Sequence, residues 1–349
     1  MSAVPRDVEA WRYSARAWQA LQAQGFVESD RHADLPEALA GQLAKLALQG
    51  ASLVVFVNGE PVSERAVAEF HLHDGERLHL VFVNVPCDRA TRWQREFDII
   101  LDKGSAEIVE QHIGSDGVEV LGEPYSRVRV GAGTQLRMTT LSDLPDSVSL
   151  YRREQVAVAA GGTYSSTHAL FGGRLQRFDL DVDLTGEQAG YAAHGLFAPR
   201  GRQHVDVHLD ARHSARDTRS EVMWRGVADQ RGRGILHGAI TVAAGADGAD
   251  AQLQTKNLLL SPHAEIDAQP VLEIYADEVK AAHGATVGQL DERALFYLRS
   301  RGVPLTMARN LLIAGFCREA FAGIVGAELH ARLESALAAR LPQVTEMPQ

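Results

Sequence analysis

Histidine and carboxylate side chains alternate along one predicted strand and could present ligands to a metal ion. His204, Asp206, His208 and Asp210 occupy every second position, so they share one face of the strand, and His213 follows just beyond them. Imidazole and carboxylate groups are common ligands of transition metals. Residues two apart on a strand are about 7 Å apart, however, so a second strand would have to complete the site. We therefore favour a solvated polar face over a metal site.

A further histidine, His283, stands alone in the densest local motif of the chain. It lies within the segment VLEIYADEVKAAHGATVG, residues 271–288, in which Asp277 and Glu278 come shortly before it. A histidine beside carboxylates at the end of a strand can serve as a metal ligand or carry a proton. Taken by themselves, the residues favour a simpler interpretation, a histidine hydrogen-bonded within a glycine-containing turn.

Most catalytic signatures are missing from the sequence. No lysine follows a glycine, so the chain lacks a phosphate-binding P-loop and is not itself an NTPase of that type. Gly131-Ala132-Gly133 begins like a dinucleotide-binding motif, but Leu136 stands where the third glycine is needed, which favours a tight turn. The two cysteines are too few to hold an iron-sulfur cluster alone. We expect Cys317, on an apolar helix, to be a buried structural thiol, and Cys87 lies in a loop where only Arg89 could activate it.

The composition is that of an acidic, folded protein. The 349 residues are 45% hydrophobic and carry 35 basic against 45 acidic side chains, a net charge of −10. Surplus negative charge is repelled by nucleic acid and by anionic membranes, so neither is expected as a partner. The amino terminus lacks an export signal and no apolar stretch reaches about 18 residues, so we expect a cytoplasmic protein.

Short β-type runs fill the centre of the chain. From residue 78 to residue 274 they arrive roughly every ten residues, separated by Gly, Asp or Ser and without intervening helices. The run 178–184 alternates apolar residues with aspartates, which predicts one buried face. This spacing excludes a doubly wound α/β fold and leaves a sandwich, a barrel or a stacked β-solenoid.

Helical periodicity flanks this β region. Residues 11–22 and 35–47 carry apolar side chains three or four apart, which predicts two amphipathic helices. We divide the chain into an amino-terminal mixed helical domain, residues 1–77, a β core, residues 78–285, and a carboxy-terminal helical domain, residues 286–349.

Three helices are predicted in the carboxy-terminal domain. The first has Asp291 as its N-cap and stops at Gly302, the second begins after Pro304, and the third covers residues 327–341. A module of this size needs the β core or a partner to cover its apolar faces.

Residues 256–304 resemble the carboxy-terminal core of the SufD members of the SufB/SufD family, scaffold subunits of the SUF iron-sulfur cluster assembly machinery. They read KNLLLSPHAEIDAQPVLEIYADEVKAAHGATVGQLDERALFYLRSRGVP. The likeness continues through Ala308-Arg309 and Ile313-Ala314-Gly315-Phe316. The motifs EAWRY, residues 9–13, and VFVNGE, residues 55–60, extend it over nearly the whole chain.

This resemblance implies a mainly β fold, a right-handed parallel β-helix with helical amino- and carboxy-terminal domains. It also implies a non-catalytic scaffold subunit that forms a heterodimer with SufB, edge to edge through the two β-helices. The SufC ATPase would dock on the carboxy-terminal helices and supply ATP hydrolysis, in keeping with the missing P-loop.

The resemblance also assigns roles to individual residues. His283 matches the histidine that the family places at the SufB-SufD interface, opposite a SufB cysteine, as a ligand of iron or of the nascent cluster. We expect no cofactor in the isolated chain, although reduced flavin is associated with the family's assembled complex.

Four residues of the first carboxy-terminal helix are candidates for contact with SufC. They are Phe296, Tyr297, Arg299 and Arg301. Helix periodicity pairs Phe296 with Arg299 on one side and Tyr297 with Arg301 on another, so at most one pair is expected at the centre of the contact. The alternative for Phe296 is a place in the core.

The sequence departs from the family in two respects. The family commonly reads Lys-Cys-Ser-His-Gly-Ala-Thr, whereas this chain has Ala281 and Ala282 in place of the cysteine and the serine, so a thiol role at that position is lost. The amino-terminal region is also shorter than usual.

Two other functions are alternatives to the SufD-like scaffold. The first is a SufB-like or homodimeric scaffold, against which Ala281 counts, because a SufB needs a sulfur-accepting thiol in this region. The second is a β-solenoid enzyme that acts on acidic polysaccharide, which predicts a basic groove with paired carboxylates.

Overall fold

Two long β-sheets face each other across a shared core. The computed structural model describes residues 11–29, 41, 43, 46–62, 68–321, 324 and 326–340. The strands of these residues are β1 Val27–Glu28, β2 Ser52–Val57, β3 Glu60–Pro61, β4 Glu69–Leu72, β5 Glu76–Asn84, β6 Thr91–Leu101, β7 Ser105–Gly114, β8 Val120–Val130, β9 Gln135–Leu144, β10 Val148–Val158, β11 Thr163–Gly172, β12 Leu175–Leu184, β13 Gly190–Phe197, β14 His204–His213, β15 Arg219–Ala228, β16 Arg233–Val242, β17 Asp250–Leu259, β18 Glu265–Ile274 and β19 Lys280–Gly288.

Strands alternate between the two sheets as the chain advances. Sheet A has the order β1-β6-β8-β10-β12-β14-β16-β18, with β4 also on β6, and sheet B has the order β19-β17-β15-β13-β11-β9-β7-β5-β2-β3. Neighbours are parallel except for the antiparallel β2-β3 pair. The length of a coil varies along the solenoid. It is 26 residues where Leu150 pairs with Gln176 and 32 residues where Arg233 pairs with Glu265. The chain is thus a parallel β-solenoid of about eight turns, which confirms the predicted fold and excludes a sandwich or a barrel.

Alternate residues of each strand fill the space between the sheets. Phe178 and Leu180 are buried there, whereas Asp181, the residue after Leu180, faces outward, as the alternation predicts. Burying an apolar side chain of this size contributes about 1.5–3 kcal/mol of transfer free energy. The coils stack so closely that a Cβ on Gly195 would lie 2.3 Å from the Trp224 ring, so this glycine makes room for the indole.

The α-helices of the described residues lie at the two ends of the chain. They are α1 Ala15–Gln22, α2 Glu292–Ser300, α3 Leu305–Arg318 and α4 Ala327–Arg340, and a 3-10 turn, Glu319–Phe321, follows α3. Asp291 caps α2 as predicted, since its Oδ1 accepts a hydrogen bond from the Arg293 amide at 2.8 Å. Gly302 ends that helix with a φ of 86°. Trp11 precedes α1 instead of lying within it, and the helix predicted over 35–47 falls largely outside the described residues.

The helices pack on the outer faces of the sheets. Helix α1 covers part of sheet A, where Trp18 contacts Tyr151 with ring centroids 5.4 Å apart. Helices α3 and α4 cover sheet B, where Ile313 and Leu333 join a buried cluster with Leu196. Of the two predicted covers for the carboxy-terminal helices, the β core or a partner, the β core covers the apolar faces of α3 and α4 that join this cluster.

A network of ionisable groups lies within the apolar interior. The Arg152 guanidinium donates to the two oxygens of Glu110 at 2.7 and 2.9 Å and to Glu154 at 3.0 Å, and His112 bonds Glu110 at 2.7 Å. All four side chains are buried. Burial alone would raise the pKa of Glu110, but the Arg152 charge and the His112 hydrogen bond outweigh it and lower this pKa to about 2. The charge of Glu110 is therefore tolerated inside because the Arg152 guanidinium neutralises it.

His168 shares an interior column with this network. Thr140 lies opposite both Glu110 and His168 in the registers of sheet B, and the imidazole stacks on Trp224 with ring centroids 5.8 Å apart. Neither ring nitrogen has a hydrogen-bond partner among the described residues. Burial, with the Arg152 charge, lowers the pKa of His168 from 6.5 to about 4.

We expect the His168→Leu variant to lose less stability than the wild type when the pH is lowered. Between pH 6.5 and about 4 the unfolded state binds more protons than the folded state at this histidine, so it destabilises the fold as the pH falls. The leucine variant should lose this pH dependence of the free energy of unfolding, which amounts to at most about 1.4 kcal/mol per pH unit. At pH 7 it should match or exceed wild-type stability, because two unpaired buried nitrogens are gone.

Denaturant unfolding at neutral and acidic pH measures this effect. The exposed His263, changed to leucine, is the matched control. If wild type and His168→Leu lose stability equally on acidification, the assigned shift in the pKa of His168 is wrong.

Candidate functional site

The last coil leaves one end of the solenoid open. Strand β18 pairs with β16 and β19 pairs with β17, and neither has a second neighbour in the described part of the chain. Backbone N–H and C=O groups along such edges are available to pair with another strand. Ile274, Tyr275 and Val287 add exposed apolar surface at the same end.

His283 lies in the middle of β19, and its side chain is exposed. It is the register partner of Leu253, which belongs to the buried core, so His283 occupies the strand face that continues the solenoid interior. The expected turn is wrong: pairing with β17 keeps the backbone extended through Gly284. Asp277 and Glu278 lie in the connection that precedes the strand.

A single imidazole can complete a metal site but cannot form one alone. Within the residues that the structure describes, no three His, Cys, Asp or Glu side chains come close enough to hold a metal ion. A metal bound at His283 would therefore need further ligands from outside the described residues.

The polar face predicted on β14 is largely covered. Ser14, just before α1, bonds both His204, at 2.8 Å, and Asp206, and Arg177 donates to Asp206 at 2.7 Å. Burial lowers the pKa of His204 to about 4. The interpretation as a solvated face is wrong for His204 and Asp206, because the amino-terminal segment packs over them and supplies their hydrogen bonds.

Beyond α1 the same sheet face is open and forms an acidic groove of about 810 Å³. His208 stacks on His237 with ring centroids 4.9 Å apart, and Asp210 lies opposite Asp181 on the neighbouring strand. Burial and the charge of Asp210 raise the pKa of Asp181 to about 6.

Neither cysteine lies at the open end. Cys317 is a buried residue of α3, and burial raises the pKa of its thiol to about 12, so it is protonated at neutral pH and the predicted structural role fits. Cys87 is half-buried and follows β5, at the opposite end of sheet B from β19. Gly131 and Gly133 form a tight turn between β8 and β9, as predicted.

Five exposed apolar side chains of α2 and of the first half of α3 are here called the helical patch. Its members are Phe296, Tyr297, Leu305, Met307 and Leu311. Phe296 is 75% exposed, so it does not belong to the core. The Arg301 guanidinium lies 5.4 Å from the centre of the Tyr297 ring, in line with the predicted pairing of these two residues. Sequence periodicity missed the three α3 residues, whose apolar character resembled a core stripe.

Arg225 anchors the carboxy-terminal helices on sheet B. Its side chain is 1% exposed, stacks over the Phe316 ring at 5.5 Å and pairs with Glu319, which is 58% exposed. The hydrogen bond from Arg225 lowers the pKa of Glu319 below its usual 4.5. A second ion pair, Arg340 with Asp143, ties the end of α4 to the same sheet.

A parallel solenoid whose last strands each have one edge without a partner in the described residues, and whose helices expose apolar side chains, belongs to the class of proteins suited to contact with other chains. Residues 86–316 match the family "SUF system FeS cluster assembly, SufBD core domain". The chain belongs to this iron-sulfur cluster assembly family, and within it is SufD-like.

Three relatives illustrate the likeness. The iron-sulfur cluster assembly protein SufD of Escherichia coli is 30% identical over 244 residues, 69% of this chain and 57% of the relative. An iron-sulfur cluster assembly SufBD family protein of Synechocystis is 27% identical over 276 residues, 75% of this chain and 60% of the relative. One from Mycobacterium tuberculosis is 29% identical over 259 residues, 71% of this chain and 63% of the relative. The chain thus spans about three fifths of the length of these relatives.

No helix among the described residues is long and apolar enough to cross a membrane.

We expect Arg225→Met to loosen α3 and α4 while leaving the solenoid intact. Methionine fills the space but cannot pair with Glu319, and the loss should be about 1 kcal/mol because solvent screens the exposed partner. Since Arg225 lowers the pKa of Glu319, the contribution is present above pH 4.5 and is lost as the pH falls below it.

Amide hydrogen exchange on residues 305–340 measures this loosening. Glu319→Gln, which retains an acceptor for the guanidinium, serves as the milder control. Unchanged exchange in Arg225→Met would show that the ion pair does not hold the helices.

Proposed function

We propose that this chain is a non-catalytic, SufD-like scaffold subunit that pairs with SufB through its open end and contributes His283 to the site where an iron-sulfur cluster forms. The observation that carries the proposal is the last coil. In it, β18 and β19 each have one edge that pairs with no other strand of the described residues, and His283 lies on β19. The likeness to the relative named SufD supports it.

The composition of β19 favours a strand that another chain covers. Natural edge strands are commonly protected by charged side chains, because an unprotected edge invites aggregation. After Lys280 this strand carries no charged residue, and small side chains such as Ala281, Ala282 and Ala285 leave its backbone accessible. A partner strand could therefore approach closely on both sides of His283.

In this proposal iron or the nascent cluster is cargo held between two chains. A neutral imidazole is a suitable iron ligand, and thiolates are the usual ligands of iron-sulfur clusters. Cys317 is buried and Cys87 is at the far end of sheet B, so the thiolate would come from SufB. The isolated chain would hold no resident cofactor, and reduced flavin would act only in the assembled complex.

The helical patch is the proposed docking surface for the SufC ATPase. Contiguous exposed apolar surface marks sites of protein contact, and aromatic residues with a neighbouring arginine are enriched at the centres of such contacts. Phe296, Tyr297 and Arg301 provide this combination, while Arg299 is exposed on the same helix. ATP hydrolysis would come from the docked partner.

The two rival functions make different demands on the structure. A homodimeric scaffold would use the same free edges, so the mass of the complex formed with SufB distinguishes it. An enzyme for acidic polysaccharide needs a basic groove, whereas the open groove on sheet A carries Asp181, Asp183, Asp210 and Glu273 against Arg212. That charge would repel such a substrate.

We expect His283→Ala to assemble normally with co-expressed SufB and SufC but to carry little cluster. The side chain is exposed, so its loss should not disturb folding. Size-exclusion mass and anaerobic iron and sulfide content are the measurements, with exposed His73→Ala as the control. Normal cluster content would show that His283 is structural, and absence of any complex with the wild-type chain would end the scaffold proposal.

We expect the double substitution Phe296→Asp, Met307→Asp to weaken SufC binding by about tenfold or more, because both side chains are more than half exposed and charge would disrupt an apolar contact. Pairing with SufB should be unaffected. Val62→Asp, which places the same charge on an exposed apolar position at the other end of the solenoid, is the control. Equal SufC affinity in all three proteins would exclude the helical patch as the docking surface.

A further inference from the structure

The connections from sheet B to sheet A stack on one side of the solenoid. In the last three coils they comprise residues 198–203, 229–232 and 260–264. Backbone hydrogen bonds hold successive connections in register: the Asp229 amide donates to the Pro199 carbonyl, and the Arg231 amide to the Gly201 carbonyl, both at 3.1 Å. The stacked connections thus form a rigid ladder whose rungs are about 4.8 Å apart.

A shallow groove of about 470 Å³ runs along this ladder. It is lined by Gly201, Arg202, Gln230, Arg231, Ser261 and His263, which include two guanidinium groups and an imidazole but no carboxylate. Arg200 lies on the same connection as Arg202, two residues before it. We call Arg200, Arg202, Arg231 and His263 the basic ladder.

The arginines of the basic ladder have no acidic partner among the residues that the structure describes. The nearest carboxylate in sequence, Asp229, is engaged by the Gln230 amide at 2.8 Å and by the Ser261 hydroxyl. By contrast Arg233, the next arginine along the chain, is paired with Glu265 at 3.3 Å and with Asp267 at 3.0 Å. The basic ladder therefore has no ion-pairing role within the fold.

This positive charge runs against the character of the molecule. The whole chain carries a net charge of −10. On the opposite side of the same coils, the connections from sheet A to sheet B present Glu187, Asp217, Asp247, Asp277 and Glu278. A local cluster of unpaired cations on such a chain creates a field that attracts negative groups selectively.

We propose that the basic ladder is a docking face for an acidic segment of a protein partner. The groove is open to solvent, unlike the enclosed pockets that hold small ligands. Guanidinium groups bind carboxylates through two parallel hydrogen bonds. The rung spacing is close to the 5–6 Å that separates side chains on successive turns of a helix, so an acidic helix could engage adjacent rungs.

A charge-reversal experiment on the full chain tests this proposal. The probe is a fluorescent oligo-glutamate peptide, titrated at low and at high salt. The test variant is Arg202→Glu, Arg231→Glu, and the control is Arg129→Glu, Arg219→Glu, which changes the net charge equally at exposed sites outside the ladder. We expect salt-sensitive binding to the wild-type and control proteins and a loss of about tenfold or more in the test variant.

Three outcomes would overturn the proposal. The first is no binding of oligo-glutamate to the wild-type chain. The second is an equal loss in test and control variants, which would indicate bulk charge alone. The third is tight binding of inorganic pyrophosphate, lost in the test variant, without binding of the peptide, which would make the ladder a phosphate site. Thermal unfolding of both variants verifies that the substitutions leave the fold unchanged.

Discussion

Backbone hydrogen bonding between successive coils is the constraint on which the rest of this structure depends. Every strand in the middle of a parallel solenoid has its N–H and C=O groups satisfied by the coils before and after it, so the chain stays in register over many turns. The same rule explains the open end. Once the chain leaves the solenoid after β19, nothing in the described residues satisfies the outer edges of the last coil.

The register also brings distant residues into columns. Arg152 and Glu110 are 42 positions apart in sequence, yet the guanidinium and the carboxylate form a buried pair. Removing one member of such a pair would leave an uncompensated charge in the core, which is why these residues constrain each other strongly. On the outer faces, the same stacking assembles the acidic groove of sheet A and the basic ladder from side chains that are about one coil apart.

Much of the fold could be predicted from the residues, because strand alternation and helix caps are local signals. Alternation around Phe178 and Leu180 identified the buried face, and Asp291 identified the start of α2. Alternation says which face is buried but not which strand lies beside it, so the choice among sandwich, barrel and solenoid needed the family resemblance. The resemblance also identified His283. The glycine that follows this residue had favoured a turn, although the residue lies on a strand.

Other features were beyond sequence reasoning. Arg152 and Glu110 look like solvent-facing residues, and only the register reveals that their side chains point inward to each other. Burial of His204 and Asp206 depends on a segment almost two hundred residues earlier, which local patterns cannot report. The helical patch was found in part, since an apolar stripe on an amphipathic helix does not by itself say whether the β core or a partner covers it.

The repeat of the register has a geometric consequence for evolution. Coils of 26 to 32 residues are accommodated because the connections absorb the difference while the strands keep their alignment. Inserting or deleting one residue inside a strand would turn every later side chain of that strand to the opposite face. The distance between the amino-terminal cap and the open end can therefore change only in whole coils, each adding about 4.8 Å. The number of coils therefore sets the separation of the two ends of the solenoid, and evolution can change that separation only in fixed increments.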